Sequence, residues 1–335
     1  MARIFITGAS GFIGSFLVEE ALRRGFSVWA GVRGSSSRAY LTDEALNVLE
    51  LDFADPDQLR ARLSEHKDRF GAFDYIVHCA GVTQCSDPRE FDRVNYQQTR
   101  TFVETLRELQ MLPRQFVFIS TLSVFGPVRE KDYTAITEHD EPAPNTGYGW
   151  SKLKAERYLQ QVPGLPYVIY RPTGVYGPRE KDYFLMAKSI RNHLDFSVGF
   201  KRQDITFVYV KDVVKAVFLG IEKGITRRAY FLSDGAVYNS RDFSRLICRE
   251  LGHPFVVHLR CPLIVLKVVS LLAGWWAACS GKSSTLNPDK YQIMKQRNWQ
   301  CDIAPATTEL GFVPDYDLRR GVKETIDWYK NEGWL

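Results

Sequence analysis

Short apolar runs alternate with amphipathic stretches through the first half of the chain. Arg3 to Thr7 reads as a strand, a glycine-rich turn follows, and apolar positions at helical spacing run from Phe12 to about Arg24. Further strands are predicted at Phe26–Val32, Asn47–Leu51, Tyr75–His78, Phe116–Ser120 and Tyr167–Tyr170, with helices at Asp57–Glu65, Phe91–Leu109 and Ser151–Gln160. Repeated strand–helix alternation predicts an α/β fold with an open, doubly wound parallel sheet covered on both faces. After Gly174 the alternation breaks up. Val210–Ile221 then reads as a helix, and Ala229–Leu232 as a strand returning to the sheet. The expected division is a larger domain of residues 1–173 with 206–232 and a smaller, interleaved region of 174–205 with 233–335. A cleft is expected at the C-terminal edge of the strands.

Composition narrows this picture only a little. The 335 residues are 45% apolar, enough for one large packed domain or two modest ones. A net charge of +5, with basic and acidic residues interspersed, gives no reason to expect a nucleic-acid partner. The cysteines at 79, 85, 248, 261, 279 and 301 lack paired metal spacing and the density of a disulfide scaffold, so free thiols and no metal site are expected. The N-terminus enters directly as a strand without a signal-peptide pattern, from which cytoplasmic placement is expected. One segment qualifies that reading: residues 261–279, CPLIVLKVVSLLAGWWAAC, are apolar except for Lys267. A helix over an apolar pocket or in a subunit contact is the first reading, and peripheral membrane attachment the second. Lys267 and the polar chain beyond the segment weigh against a membrane-spanning helix.

The turn Gly8-Ala9-Ser10-Gly11-Phe12-Ile13-Gly14 lies between a predicted strand and helix. Gly8 and Gly11 permit a tight turn and close backbone approach to a phosphate, while Gly14 permits close helix packing. The turn, with Ser10, Phe12 and Ile13, is therefore expected to hold the pyrophosphate of a dinucleotide at the helix N-terminus. The end of the second strand carries Val32-Arg33 where an acidic residue would favour NAD. Arg33, with Arg38 across Ser35-Ser36-Ser37, offers guanidinium groups to a ribose 2′-phosphate, so NADP(H) is expected, with NAD(H) as the alternative. Asp52 and Phe53 are expected near the adenine, and Ala80-Gly81 along the cofactor; His78 reads as a structural, hydrogen-bonding histidine.

At the reacting end, Ser120-Thr121-Leu122-Ser123 closes a strand and Tyr148-Gly149-Trp150-Ser151-Lys152 begins a helix. The four-residue offset puts Tyr148 and Lys152 on one helical face, where an ammonium favours the phenolate. Tyr148 is then a candidate acid–base group, Thr121 a hydrogen-bonding group at the substrate oxygen, and Lys152 a partner of both phenol and nicotinamide ribose. Taken together these motifs resemble the extended short-chain dehydrogenase/reductase family over almost the whole chain. The glycine turn, Thr121, Tyr148 and Lys152 match its site, Val124-Phe125-Gly126 its V-Y-G, and Arg171-Pro172-Thr173-Gly174-Val175-Tyr176-Gly177 its passage to the substrate region.

The resemblance implies reversible alcohol–ketone interconversion by hydride transfer, with Asn95 supporting the site, Pro172 near the nicotinamide, and a homodimer. The apolar 261–279 run and the ending Glu309 to Pro314 with Gly321 to Tyr329 resemble the 3β-hydroxysteroid dehydrogenase and dihydroflavonol reductase branches, implying an apolar, steroid-like substrate. A nucleotide-sugar epimerase or dehydratase is the alternative, with Arg202, Arg241, Arg245 and Arg260 available for a second diphosphate. Leu122 stands where dehydratases commonly carry Asp, which counts against elimination chemistry. A non-catalytic dinucleotide-binding regulator is the remaining class, opposed by the intact Thr121, Tyr148 and Lys152.

Overall fold

Strand β1 (Arg3–Thr7) is buried almost throughout, as an apolar run in the middle of a two-faced sheet must be. The computed structural model describes residues 1–85, 87–280 and 287–335, and their side chains except at 274, 275 and 277–280, so the Cys279 thiol lies outside the described residues. From β1 the chain continues through α1 (Phe12–Arg23), β2 (Ser27–Val32), β3 (Asn47–Glu50), α2 (Pro56–Phe70) and β4 (Tyr75–His78). Asp55 caps α2 by accepting from the Asp57 and Gln58 amides, with Pro56 in the first turn. A helical stretch follows as α3 (Arg89–Phe91), a π-helical run at Asp92–Gln97 and α4 (Gln98–Glu108). Then come β5 (Gln115–Ile119), α5 (Gly147–Gln161) and β6 (Tyr167–Pro172).

Beyond β6 the elements shorten: β7 (Gly174–Tyr176), α6 (Lys181–Arg191), β8 (Leu194–Val198), β9 (Asp204–Ile205) and β10 (Phe207–Tyr209). The longer α7 (Val210–Glu222) then leads into β11 (Arg228–Leu232), which pairs with β6. The main sheet has the order β11-β6-β5-β4-β1-β2-β3, with every neighbour parallel. The direction of growth reverses between β1 and β4, the crevice where doubly wound sheets bind ligands. The chain ends through β12 (Tyr238–Asn239), α8 (Asp242–Glu250), β13 (Val257–Cys261), α9 (Leu263–Ser280), α10 (Pro288–Lys295) and α11 (Leu318–Asn331). Short pairs β7–β10, β9–β12 and β8–β13 lie apart from the main sheet.

Apolar clusters account for the layers. One joins α1 and α7 to the sheet through Leu17, Val18, Val213 and Val217, and another packs α2, α4 and α5 on it through Leu59, Phe102 and Leu159. A separate cluster holds the smaller lobe, where Ile190 of α6, Phe243 of α8 and Val322 of α11 surround Tyr176. The doubly wound α/β sheet with a smaller C-terminal lobe is as the hydrophobic pattern predicts. The predicted continuous helix at 91–109 is instead interrupted by its π-helical run, which places Asn95, fully buried, opposite Val82 and Ser151.

The underside of the sheet contains a titratable defect. The His66 ring of α2 stacks on Phe73 with centroids 4.1 Å apart and meets Trp29 edge-on at 5.2 Å, while its Nε2 is buried without a hydrogen-bond partner among the described residues. Burial holds its pKa down to about 4, helped by the charges of Arg3 and Arg69. The folded state therefore keeps His66 neutral. Stability from this group is fully present above the unfolded pKa of roughly 6.5 and is lost as pH falls toward 4. At pH 5 the loss amounts to about 2 kcal/mol relative to pH 7.5. His66→Phe should retain that increment at pH 5, as measured by urea unfolding; an equal loss in both proteins between these pH values would refute the assignment.

Candidate functional site

The glycine turn closes on itself and on the neighbouring strand. Gly8 has φ +66°, and a Cβ there would lie 2.7 Å from the Ala80 amide nitrogen at the end of β4. A Cβ on Gly14 would collide with the Gly8 carbonyl oxygen, so α1 can start this close to β1 only with glycine at that position. Gly11 precedes α1 without a side-chain cap, and the first turn carries no acidic residue. The opening amides at Phe12, Ile13 and Gly14, next to Ser10, thus keep their donors for an anion. This bare, positively polarised helix end, set in a cradle that a Cβ would fill, fits a dinucleotide pyrophosphate.

At the far end of β2 the charges pair differently from the sequence-based picture. Arg33 is exposed and its backbone forms a turn with Ser36. Arg38 turns to Glu50, 3.4 Å away at the end of β3, and the Glu50 carboxylate would stand 2.6 Å from a Cβ on Gly34. The parallel register explains this, because Val32 pairs with Glu50. An acidic group therefore sits beside the Arg33–Gly34 turn although β2 carries none. Asp52 uses one carboxylate oxygen to accept from the Ala54 amide, and Phe53 packs inward against Phe102 and His78.

The reacting end is assembled on the first two turns of α5. Thr146 caps this helix through the Gly149 amide, and Tyr148 and Lys152 follow one turn apart. Thr121 lies beyond β5, where its Oγ1 accepts from the Ser123 amide and donates to Ser123 Oγ at 3.2 Å. Burial pushes the Tyr148 phenol up to about 12, with the Thr121 hydroxyl pulling the other way. Lys152 is buried, donates to the Ile119 carbonyl at 2.9 Å and lies 4.5 Å over the Phe118 ring. Burial brings its ammonium down to about 8, opposed by Cys79 and Glu156. A Cβ on Gly81 would come within 3.4 Å of the Lys152 nitrogen, which places this ammonium beside the chain leaving β4. Pro172 ends β6 on the same edge of the sheet.

Buried hydrogen bonds join the two ends. The Ala80 amide donates to Thr7 Oγ1, which lies 2.8 Å from His78 Nδ1; His78 Nε2 lies 3.0 Å from Thr99 Oγ1, which donates to the Asn95 carbonyl. The last donation leaves Thr99 as acceptor, so the Nε2–H tautomer of His78 completes one directional chain. Burial holds His78 neutral with a pKa of about 3, helped by the charge of Lys152. The Asn95 side chain bridges both backbone polar groups of Val82 and donates to Ser151 Oγ, which donates to the Tyr148 carbonyl.

Several residues of this neighbourhood escape a sequence reading. Glu156, one turn beyond Lys152, accepts from Ser120 and forms a buried pair with Arg171 at 2.7 Å. Asp289 in the first turn of α10 accepts from the Tyr148 amide at 3.1 Å, and the neighbouring Lys290 pairs with Asp182, which also accepts from Gln84. The Asn-Pro-Asp run at 287–289 is a helix-start signal, but nothing in it points to the distant Tyr148. Arg202 and Arg245 are held by Asp204 and Asp242. The tight turn makes a direct prediction. Gly14→Ala should weaken dinucleotide binding by at least about tenfold in calorimetric titration, because the added methyl must push α1 away from the turn. Unchanged affinity in a folded Gly14→Ala protein would disprove the role of the turn.

Residues 4–232 match the NAD dependent epimerase/dehydratase family. The chain is 25% identical to a dTDP-glucose 4,6-dehydratase of Streptomyces antibioticus, covering 99% of this chain and 93% of that protein. It is 22% identical to a decarboxylating sterol-4-alpha-carboxylate 3-dehydrogenase of Dictyostelium discoideum, covering 97% and 100%. The fold superposes on a UDP-glucose 4-epimerase of Thermotoga maritima with a TM-score of 0.78 at 21% identity, over 98% of this chain and 99% of the other. With its match running from β1 to the end of β11, across the glycine turn and the Tyr148–Lys152 helix, this chain belongs to the NAD dependent epimerase/dehydratase family.

Proposed function

We propose that this protein transfers hydride reversibly between NAD and a secondary alcohol or ketone of a nucleotide sugar, with Tyr148 as the proton-handling group. The observation that carries the proposal is the placement of Tyr148 and Lys152 on one turn of α5, with the Lys152 ammonium packed against Gly81 beside the glycine turn. When bound, the dinucleotide accepts or supplies the hydride. Tyr148 Oη takes the carbinol proton in oxidation and returns it in reduction. Burial raises the phenol, and Lys152, one turn along α5, is the cation whose charge would favour the phenolate. Thr121 orients the substrate oxygen and hydrogen-bonds it as charge develops. Buried Leu122 supplies no acid beside Thr121, which favours epimerisation or net oxidoreduction over elimination of a hydroxyl.

For the cofactor, Glu50 favours NAD over NADP. Its carboxylate neutralises Arg38 and stands beside the Arg33–Gly34 turn, where it would oppose a 2′-phosphate. The expectation of NADP(H) rests on two arginines; one of them is paired, and the matching family is NAD dependent. The substrate class rests on relatives such as the dTDP-glucose dehydratase. A second reading, an apolar steroid-like ketone, is favoured by the solvent-facing apolar side chains of α9 and by the sterol dehydrogenase relative.

Purified protein should oxidise or epimerise UDP- or dTDP-hexoses with NAD. Turnover restricted to hydroxysteroids or aromatic ketones would replace the first reading by the second. Tyr148→Phe should lower kcat by at least about 10²-fold while leaving the NAD dissociation constant within about threefold. Glu50→Gln should shift the ratio of NAD to NADP affinities toward NADP by about tenfold, and an unchanged ratio would remove Glu50 from cofactor selection.

A further inference from the structure

The β8–β13 pair and α9 are turned inside out. In β8 and β13, Leu194 pairs with Val257 and Phe196 with Leu259, so the four side chains share one face, and all four are exposed. The opposite face carries the polar residues Asp195, Ser197, His258 and Arg260, of which Asp195 is buried while the two β13 residues are exposed. Asp195 is bonded to Ser244 Oγ and to His258 Nδ1. An ordinary half-buried sheet alternates the other way. Pro262 then leads directly from β13 into α9, and a Cβ on Gly199, just past the end of β8, would lie within van der Waals distance of Leu263 in its first turn.

Helix α9 repeats the inversion. Leu266 and Ser270, one turn apart, are its buried positions among the described side chains. At about 100° per residue, Leu271, Ile264, Val268, Leu272 and Val269 cover an exposed arc of about 160°. Ile264, Leu272 and Trp276 are 78%, 61% and 71% exposed. Such a surface greatly exceeds the scattered apolar residues of an ordinary exterior. Charge on it has one sign. Residues 251–288 contain no Asp or Glu, and Arg191, Lys201 and Lys267 are exposed with no ion-pair partner among the described residues. Among the described residues no helix is long and apolar enough to cross a membrane.

We infer that this face seats the protein on an anionic phospholipid bilayer, with α9 and the β8–β13 face in the interface and the three cations at headgroup level. Lipid matches both halves of the pattern: acyl chains solvate an arc too broad for one packing stripe, and anionic headgroups take unpaired cations. A second copy of the chain on the same face would oppose cation to cation. This inference does not rest on the substrate class.

Flotation of the full-length protein with large unilamellar vesicles tests it, comparing phosphatidylcholine alone with a mixture containing phosphatidylglycerol at about 0.1 M salt. Binding should require the anionic lipid and weaken at about 1 M salt. Val268→Asp with Leu272→Asp should remove binding, and Lys201→Glu with Lys267→Glu should weaken it at least about tenfold, while both retain NAD binding. The charge-reversal pair leaves the apolar packing untouched, so it separates lipid contact from misfolding. Wild-type protein that stays with the aqueous fraction, or wild-type-like flotation of both variants, would overturn the inference. Concentration-dependent dimerisation lost in the Asp variant, without vesicle binding, would assign the face to a second copy instead.

Discussion

Everything at the candidate site depends on how closely three pieces of backbone meet at the reversal point of the sheet. The Gly8 carbonyl occupies the space of a Gly14 side chain, and a Cβ on Gly8 would collide with the backbone at the end of β4. Two methyl groups would separate α1 from β1 and β1 from β4. That contact fixes where the uncapped amides of α1 point. It also fixes the origin of the hydrogen-bond chain from Ala80 through Thr7, His78 and Thr99 to Asn95. A small steric allowance at the phosphate end thus sets the position of polar groups that buttress Tyr148 from below.

Electrostatics at the reacting end follow from the same compactness. Lys152 is buried, one turn before the buried Glu156–Arg171 pair. Burying one cation alone would favour its neutral form, and the nearby carboxylate works against that loss. The Ile119 carbonyl then fixes the direction of the ammonium. Tyr148 stays protonated until a charge is brought to it, so the pair is poised by burial as much as by its neighbours.

What could be read in the sequence was local. The alternation of strands and helices, the glycine spacing and the four-residue Tyr–Lys offset are all encoded within a few residues, and each is present in the structure. What could not be read was pairing across the sheet. Glu50 reaches the Arg33–Gly34 turn because β3 lies in parallel register beside β2, so an acidic group missing from one strand is supplied by the next. The π-helical run is likewise silent in periodicity, because one altered turn within a helix hardly disturbs the spacing of apolar residues. The apolar 261–279 segment was conspicuous, but composition alone could not say which way its side chains face.

Asp289 carries a consequence of another kind. Its carboxylate stands in the first turn of α10 and also receives the Tyr148 amide, so one negative charge serves the N-termini of two helices from different lobes. The C-terminal segment is therefore not an interchangeable module. Recombining this sheet with the substrate lobe of a relative would have to bring a carboxylate to the same point, or the helix bearing Tyr148 would begin one hydrogen bond short. Diversification of the substrate lobe is constrained at a position that need never touch substrate.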